Sequence, residues 1–114
     1  MIAVIIEMTP AEGRADEYFS IAKRLKDDVA TIDGFISVER FESVTQPGKL
    51  VSISFWRDEA ALRQWRLHGR HQLAQDAGRG GIFNDYRVRI ASVIRDYGLT
   101  DRAQAAADGG AASG

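Results

Sequence analysis

The hydrophobic pattern predicts an α+β domain in the order β-α-β-β-α-β, with one antiparallel four-stranded sheet and both helices on one face. Three observations carry this. Four runs alternate apolar and polar residues, two segments repeat apolar residues every three or four positions, and Gly- or Pro-containing turns separate them. The 114 residues are 45% hydrophobic and 27% charged, which suits one domain with one modest core.

The first strand spans Met1 to Met8, where Ile2, Val4, Ile6 and Met8 alternate with Ala3, Ile5 and Glu7. Pro10, Glu12 and Gly13 end it. Asp16 then precedes Tyr18, Ile21, Ala22, Leu25, Val29 and Ile32, the spacing of one helical stripe. Asp33-Gly34 stops that helix, because glycine can take the positive φ that such a stop requires. Phe35 to Glu42 is a second strand, and Gln46-Pro47-Gly48 turns the chain into a third, Leu50 to Trp56.

Asp58 is a good N-cap with Glu59 in the first turn, and Ala60, Ala61, Leu62, Trp65 and Leu73 follow at helical spacing, with Gly69 a point of interruption. Gly78-Arg79-Gly80-Gly81 closes this second helix, and Ile82 to Asp85 connects it to a last strand, Tyr86 to Tyr97. The order is the ferredoxin-like split βαβ pattern. From Arg102 to Gly114 no large apolar side chain occurs, so the expected domain is residues 1–98 and residues 99–114 form a mobile Ala/Gly-rich tail.

Composition narrows the function classes. Fifteen Lys and Arg against sixteen Asp and Glu leave a net charge of -1, which provides no field for nucleic acid or anionic lipid. With no cysteine there is no disulfide, thiolate metal site or thiol nucleophile. Met1 to Met8 lacks a basic leader and is too short to cross a bilayer, so the expectation is a cytoplasmic protein with no membrane association.

The sheet carries information on both faces. If the helices cover Val4, Ile6, Ile36, Val38, Val51, Ile53, Phe55, Val88 and Ile90, the other face holds Ile5, Phe35, Phe41, Leu50, Trp56, Val93 and Tyr97. It also holds Glu7, Ser37, Glu39, Ser52, Ser54, Arg87, Arg89 and Arg95. Such a face is too apolar for water and too polar for a second core, which points to a two-fold homodimer with the sheets face to face.

The candidate chemistry lies in the second helix. His68 and His71 are three residues apart beside Trp65, but no local Asp, Glu or Cys completes a three-ligand metal set. A lone Trp on an apolar stripe is more often a core residue than a cofactor contact, and Trp65 has that reading too. Gly78-Arg79-Gly80-Gly81 lacks the Lys-Ser/Thr of a phosphate loop. No Ser-His-Asp order and no G-x-S-x-G occurs, so hydrolase chemistry has no support.

Gly34-Phe35, Phe41, the strand Leu50 to Phe55 followed by Trp56-Arg57-Asp58-Glu59-Ala60, and the W-x5-H spacing of Trp65 to His71 together resemble the antibiotic biosynthesis monooxygenase domain family. That family is a branch of the dimeric α+β barrel superfamily, and the resemblance covers about residues 1–98. It implies a ferredoxin-like subunit, a homodimer joined through its sheets, and a pocket between sheet and helices that takes a small hydrophobic or aromatic ligand. The implied activity is monooxygenation of an aromatic or quinol-like molecule without a cofactor. Trp65 would be a pocket wall, with His71 or Arg79 transferring protons or binding an anion.

Two further readings stand beside it. The family's heme-degrading branch places an Asn on the first strand and a heme-ligating His about ten residues after the helix Trp; here those positions are Glu7 and Gln75, so heme would need His68 or His71. The other reading is a non-catalytic dimeric binding module, favoured by a cavity plugged by Trp65, Tyr18 and Phe83.

Overall fold

The computed structural model describes the backbone of residues 1–77 and 81–105 and the side chains of residues 1–68 and 81–105. It contains β1 (Ile2–Pro10), α1 (Ala15–Val29), β2 (Phe35–Glu42), β3 (Leu50–Trp56), α2 (Glu59–Ala77) and β4 (Phe83–Ser92). All strand pairs are antiparallel and the sheet order is β2-β3-β1-β4, the ferredoxin-like arrangement predicted from sequence. The last strand begins and ends earlier than its alternation suggests. Phe83 pairs with Pro10 across a register shift, which draws the expected connector into the sheet.

Each helix is set by local chemistry. The α1 stripe buries Tyr18, Ala22 and Val29, and its start is held by the Arg14–Glu17 ion pair at 2.6 Å. At α2 the Asp58 carboxylate accepts the Ala61 backbone N–H at 2.9 Å, the cap read from the sequence. That bond, followed by the neighbouring Arg57 guanidinium, holds the Asp58 carboxyl below the ordinary range.

Gly34 makes the tightest approach. Its φ is +93°, and a Cβ there would lie 2.7 Å from the Ala61 Cβ. Its carbonyl accepts the Arg57 N–H at 2.7 Å, so the α1–β2 turn sits directly on the start of α2.

The register corrects the expected distribution of β3. Ile2 faces Trp56, Val4 faces Ser54 and Ile6 faces Ser52, so Leu50, Ser52, Ser54 and Trp56 point to the helices. Val51, Ile53 and Phe55 lie on the open face, the reverse of the expectation. A register shift between Phe35 and Ser37 also turns Phe35 inward and leaves Ile36 half exposed. The reason is tertiary: facing inward, Trp56 packs against Phe35 and Trp65, and because side chains alternate with period two a single-residue slip inverts a whole strand. Val4, Ile6, Val38, Val88 and Ile90 take the expected helix side, and Ile5, Glu7, Ser37, Glu39, Phe41, Arg87 and Arg89 the open side.

The core has two parts. Val4, Val29, Trp56, Ala61 and Leu62 form one, with Phe35 and Trp65 packed against it. Met8, Tyr18, Ala22 and Ile82 form the other, with Leu50 and Phe83, and Ile6 touches both. After β4, Val93 N–H donates to the Met1 carbonyl at 2.9 Å, and the Asp96 N–H donates to the Gln104 side chain at 2.8 Å. The remainder of the Ala/Gly-rich tail, residues 106–114, lies outside the described residues. Among the described residues no helix is long and apolar enough to cross a membrane.

Candidate functional site

The cleft lies between α2 and β4. Glu59, Leu62, Arg63, Arg66 and Leu67 recur at offsets of three, four, seven and eight, which puts them on one face of α2, and that face looks onto Ile90. Ile90 pairs with Val4 and so lies on the helix side of the sheet, yet it remains 43% exposed. Val88 and Tyr86, also on that side of β4, are exposed as well. The edge strand is therefore incompletely covered, and a cavity of about 220 Å³ remains beneath the α2 stripe.

Its chemistry is apolar with two cations. Leu62 is buried, Leu67 and Ile90 offer apolar surface, and Arg63 and Arg66 have no carboxylate within ion-pair distance among the described residues. Glu59 stands at the N-terminal end, a full turn before Arg63 and about 10 Å along the helix axis from Arg66. Such a site can exclude water from an apolar molecule and hold negative charge that develops on it. No group of three or more potential metal ligands occurs among the described residues.

The residues singled out from sequence fall elsewhere on α2 or beyond the described set. Trp65 stacks on Trp56, with ring centroids 6.5 Å apart and planes at 26°, so its ring belongs to the core next to the helix rather than to the cleft lining. His68 lies 5.5 Å from the Trp65 ring and places Nε2 3.7 Å from the Asp28 carboxylate of α1. The side chain of His71 and all of Arg79 lie outside the described residues. Arg63, Arg66, Leu67 and Ile90 were not anticipated. The signal was present in the second stripe of α2, but Trp65 and the histidines drew attention to the opposite one.

On the open sheet face, Glu7 is gripped from both sides. Lys49 Nζ is 2.6 Å from its carboxylate and Arg89 bonds to the other oxygen. The Lys49 bond first, and then Arg89, hold its carboxyl below the ordinary glutamate range.

The sequence profile of the family described as antibiotic biosynthesis monooxygenase matches residues 1–77. Over 93 residues the chain is 45% identical to the jasmonate monooxygenase ABM of Pyricularia oryzae, covering 82% of this chain and 43% of that protein. It therefore spans less than half of that relative. It is 32% identical over 93 residues to the uncharacterized protein YqjZ of Bacillus subtilis, covering 82% of this chain and 79% of that protein.

Solved structures share the fold at low identity. Rv0793 of Mycobacterium tuberculosis superposes with a TM-score of 0.68 at 20% identity, covering 85% of this chain and 98% of that one. SnoaB, a cofactor-independent oxygenase from Streptomyces nogalater crystallised as a mutant, gives 0.67 at 17%, covering 83% and 94%. The profile match over most of the folded domain, the second relative's overlap over about four-fifths of each chain and the shared strand order lead to one conclusion: this chain belongs to the antibiotic biosynthesis monooxygenase family.

Proposed function

We propose that this domain is a cofactor-independent monooxygenase for a small aromatic or quinol-like molecule, acting as a homodimer joined through its open sheet face. The observation that carries the reading is the α2–β4 cleft, where Leu62, Leu67 and Ile90 adjoin two guanidinium groups that have no acidic partner among the described residues. Two names support it: one relative is a jasmonate monooxygenase and one fold neighbour a cofactor-independent oxygenase.

The chemistry suits a substrate that is itself a carbon acid. A CH₂ flanked by unsaturated groups loses a proton, and the resulting enolate passes an electron to O₂. Recombination gives a hydroperoxide, and loss of water leaves a carbonyl, so that one CH₂ and one O₂ become one C=O and one H₂O. Arg63 and Arg66 stabilise the enolate, and with it the transition state that leads there. His71, four residues beyond Leu67 in α2, takes the proton, and Arg79 adds a further anion-binding group. Trp65, anchored on Trp56, is a positioning residue that fixes the helix over the sheet.

The other readings have less behind them. Among the described side chains the one histidine, His68, faces Asp28 rather than the cleft. Tyr18 and Phe83 pack in one core cluster and Trp65 in the other, so these aromatics do not jointly plug a cavity.

The test is oxygen uptake with anthrone and a dihydroxynaphthalene, aerobically and anaerobically, for the native protein and for Leu67→Trp, which fills the cleft. Uptake that needs the protein and falls at least tenfold in the variant is expected. No protein-dependent uptake across the panel would overturn the reading.

A further inference from the structure

A second cavity, of about 200 Å³, lies at the other end of the molecule between α1 and the β2–β3 hairpin, lined by Tyr18, Phe19, Arg40, Phe41, Glu42 and Leu50. It shares no residue with the α2–β4 cleft. We propose that this cavity is a binding site for a small aromatic monocarboxylate, with Arg40 as its anchor.

Arg40 stands on the helix side of β2, opposite Ser52, and is half-buried. Its Nε donates to the hydroxyl of Tyr18 at 3.2 Å, and Tyr18 is itself only 8% exposed. No carboxylate lies within ion-pair distance of it among the described residues. A guanidinium partly withdrawn from water gains from an acidic partner, because desolvating its charge alone has a cost. Here the single partner among the described residues is a neutral phenol. That bond occupies Nε and fixes the plane of the group, leaving the two Nη nitrogens as a paired donor edge. Two parallel N–H donors match the two oxygens of a carboxylate.

The walls define the rest of the ligand. Phe19 is 47% exposed, a large apolar area for a surface aromatic, while Phe41 borders the cavity from β2 with its own side chain on the open face. The Tyr18 ring, 5.5 Å from Phe19 and 5.6 Å from Phe83, gives an aromatic floor held by core packing. The volume suits one or two fused rings. Glu42, two residues from Arg40 on the same side of β2, lines the cavity too and is exposed. It opposes a second negative charge and so selects monoanions over dicarboxylates or phosphates.

The experiment titrates the ¹⁵N-labelled full chain with 2-naphthoate, 2-naphthamide and 2,6-naphthalenedicarboxylate. Saturable amide shifts centred on Tyr18–Phe19 and Arg40–Glu42 are expected with 2-naphthoate, with the amide and the dicarboxylate at least tenfold weaker. Arg40→Gln should weaken 2-naphthoate at least tenfold, and Arg40→Lys should recover part of that loss. Shifts centred on Arg63, Arg66 and Ile90, equal affinity for acid and amide, or native affinity in a folded Arg40→Gln protein would each overturn the proposal. Should Arg40→Gln not fold, the shift map and the acid-to-amide ratio on the native chain decide. The outcome is independent of the oxygenase reading.

Discussion

Trp56, the most deeply buried large side chain among the described residues at 1% exposure, donates its indole N–H at 3.0 Å to the hydroxyl of Ser54, two residues earlier on the same face of β3. The pair explains why a strand ending in tryptophan turns two serines toward the core. The indole needs an acceptor when buried, and Ser54 is the nearest residue on its own face that can supply one.

Replacing Ser54 with Ala should therefore cost about 1–3 kcal/mol, the penalty for leaving a buried donor unmet. Trp56→Phe removes the donor along with part of the ring. In a double-mutant cycle by urea denaturation the two losses should fall short of additivity by at least about 0.5 kcal/mol. Additive losses would mean that the bond contributes nothing to the core.

The same pair marks the limit of what was legible. Element order, the Asp58 cap, the Asp33-Gly34 turn and the α1 stripe follow from local propensity and were readable directly. The facing of β3 was not, because Val51, Ile53 and Phe55 make the more apolar set and periodicity alone assigns them inward. The deciding terms, Trp56 packing on Phe35 at 5.3 Å and on Trp65, are tertiary. The candidate site was hidden for a related reason: α2 has two useful faces, and the more conspicuous residues, Trp65 and His68, sit on the one turned toward the core and α1.

Gly34 should tolerate no side chain. Its φ of +93° disfavours any L-residue, and the added Cβ would meet the Ala61 Cβ at 2.7 Å. Gly34→Ala is expected to cost about 2 kcal/mol or more, since the left-handed backbone alone costs about 1–2. Adding Ala61→Gly removes the clash but not the backbone strain, so it should recover only the part of the loss that the clash causes. Full recovery, measured against Ala61→Gly alone, would show that conformation is irrelevant there.

Acid should release the open face through Glu7. Its carboxyl is held below the ordinary value by Lys49 first and then Arg89, so its contribution is complete above the unfolded-state value, about 4.3. That contribution is lost as pH falls through the lower folded-state value. Glu7→Gln should therefore be less stable than the native protein at neutral pH, and the gap should close as pH drops below about 4. A gap that is constant with pH would show that the ion pairs do not contribute.

The open face also predicts how two copies meet. Across the sheet, Glu39 pairs with Ile53, Ile53 with Ile5, and Ile5 with Arg89, giving a row with an acid at one edge, a base at the other and isoleucine between. A two-fold axis parallel to the strands lays the β2 edge of one copy over the β4 edge of the other. Glu39 then faces Arg89 of the second copy while the apolar centres meet. A perpendicular axis would stack arginine on arginine. Ile53→Asp should convert a dimer of about 25 kDa, twice the 12.6 kDa chain, to monomer by light scattering, because it places a charge at the apolar centre. Glu39→Arg should weaken the dimer about tenfold, and Arg89→Glu in the same chain should restore part of it, since each exchanged pair is again opposite in sign although Glu7 loses its Arg89 partner. A double reversal no better than the single one would rule out this orientation while leaving a dimer of another geometry open to the Ile53→Asp test.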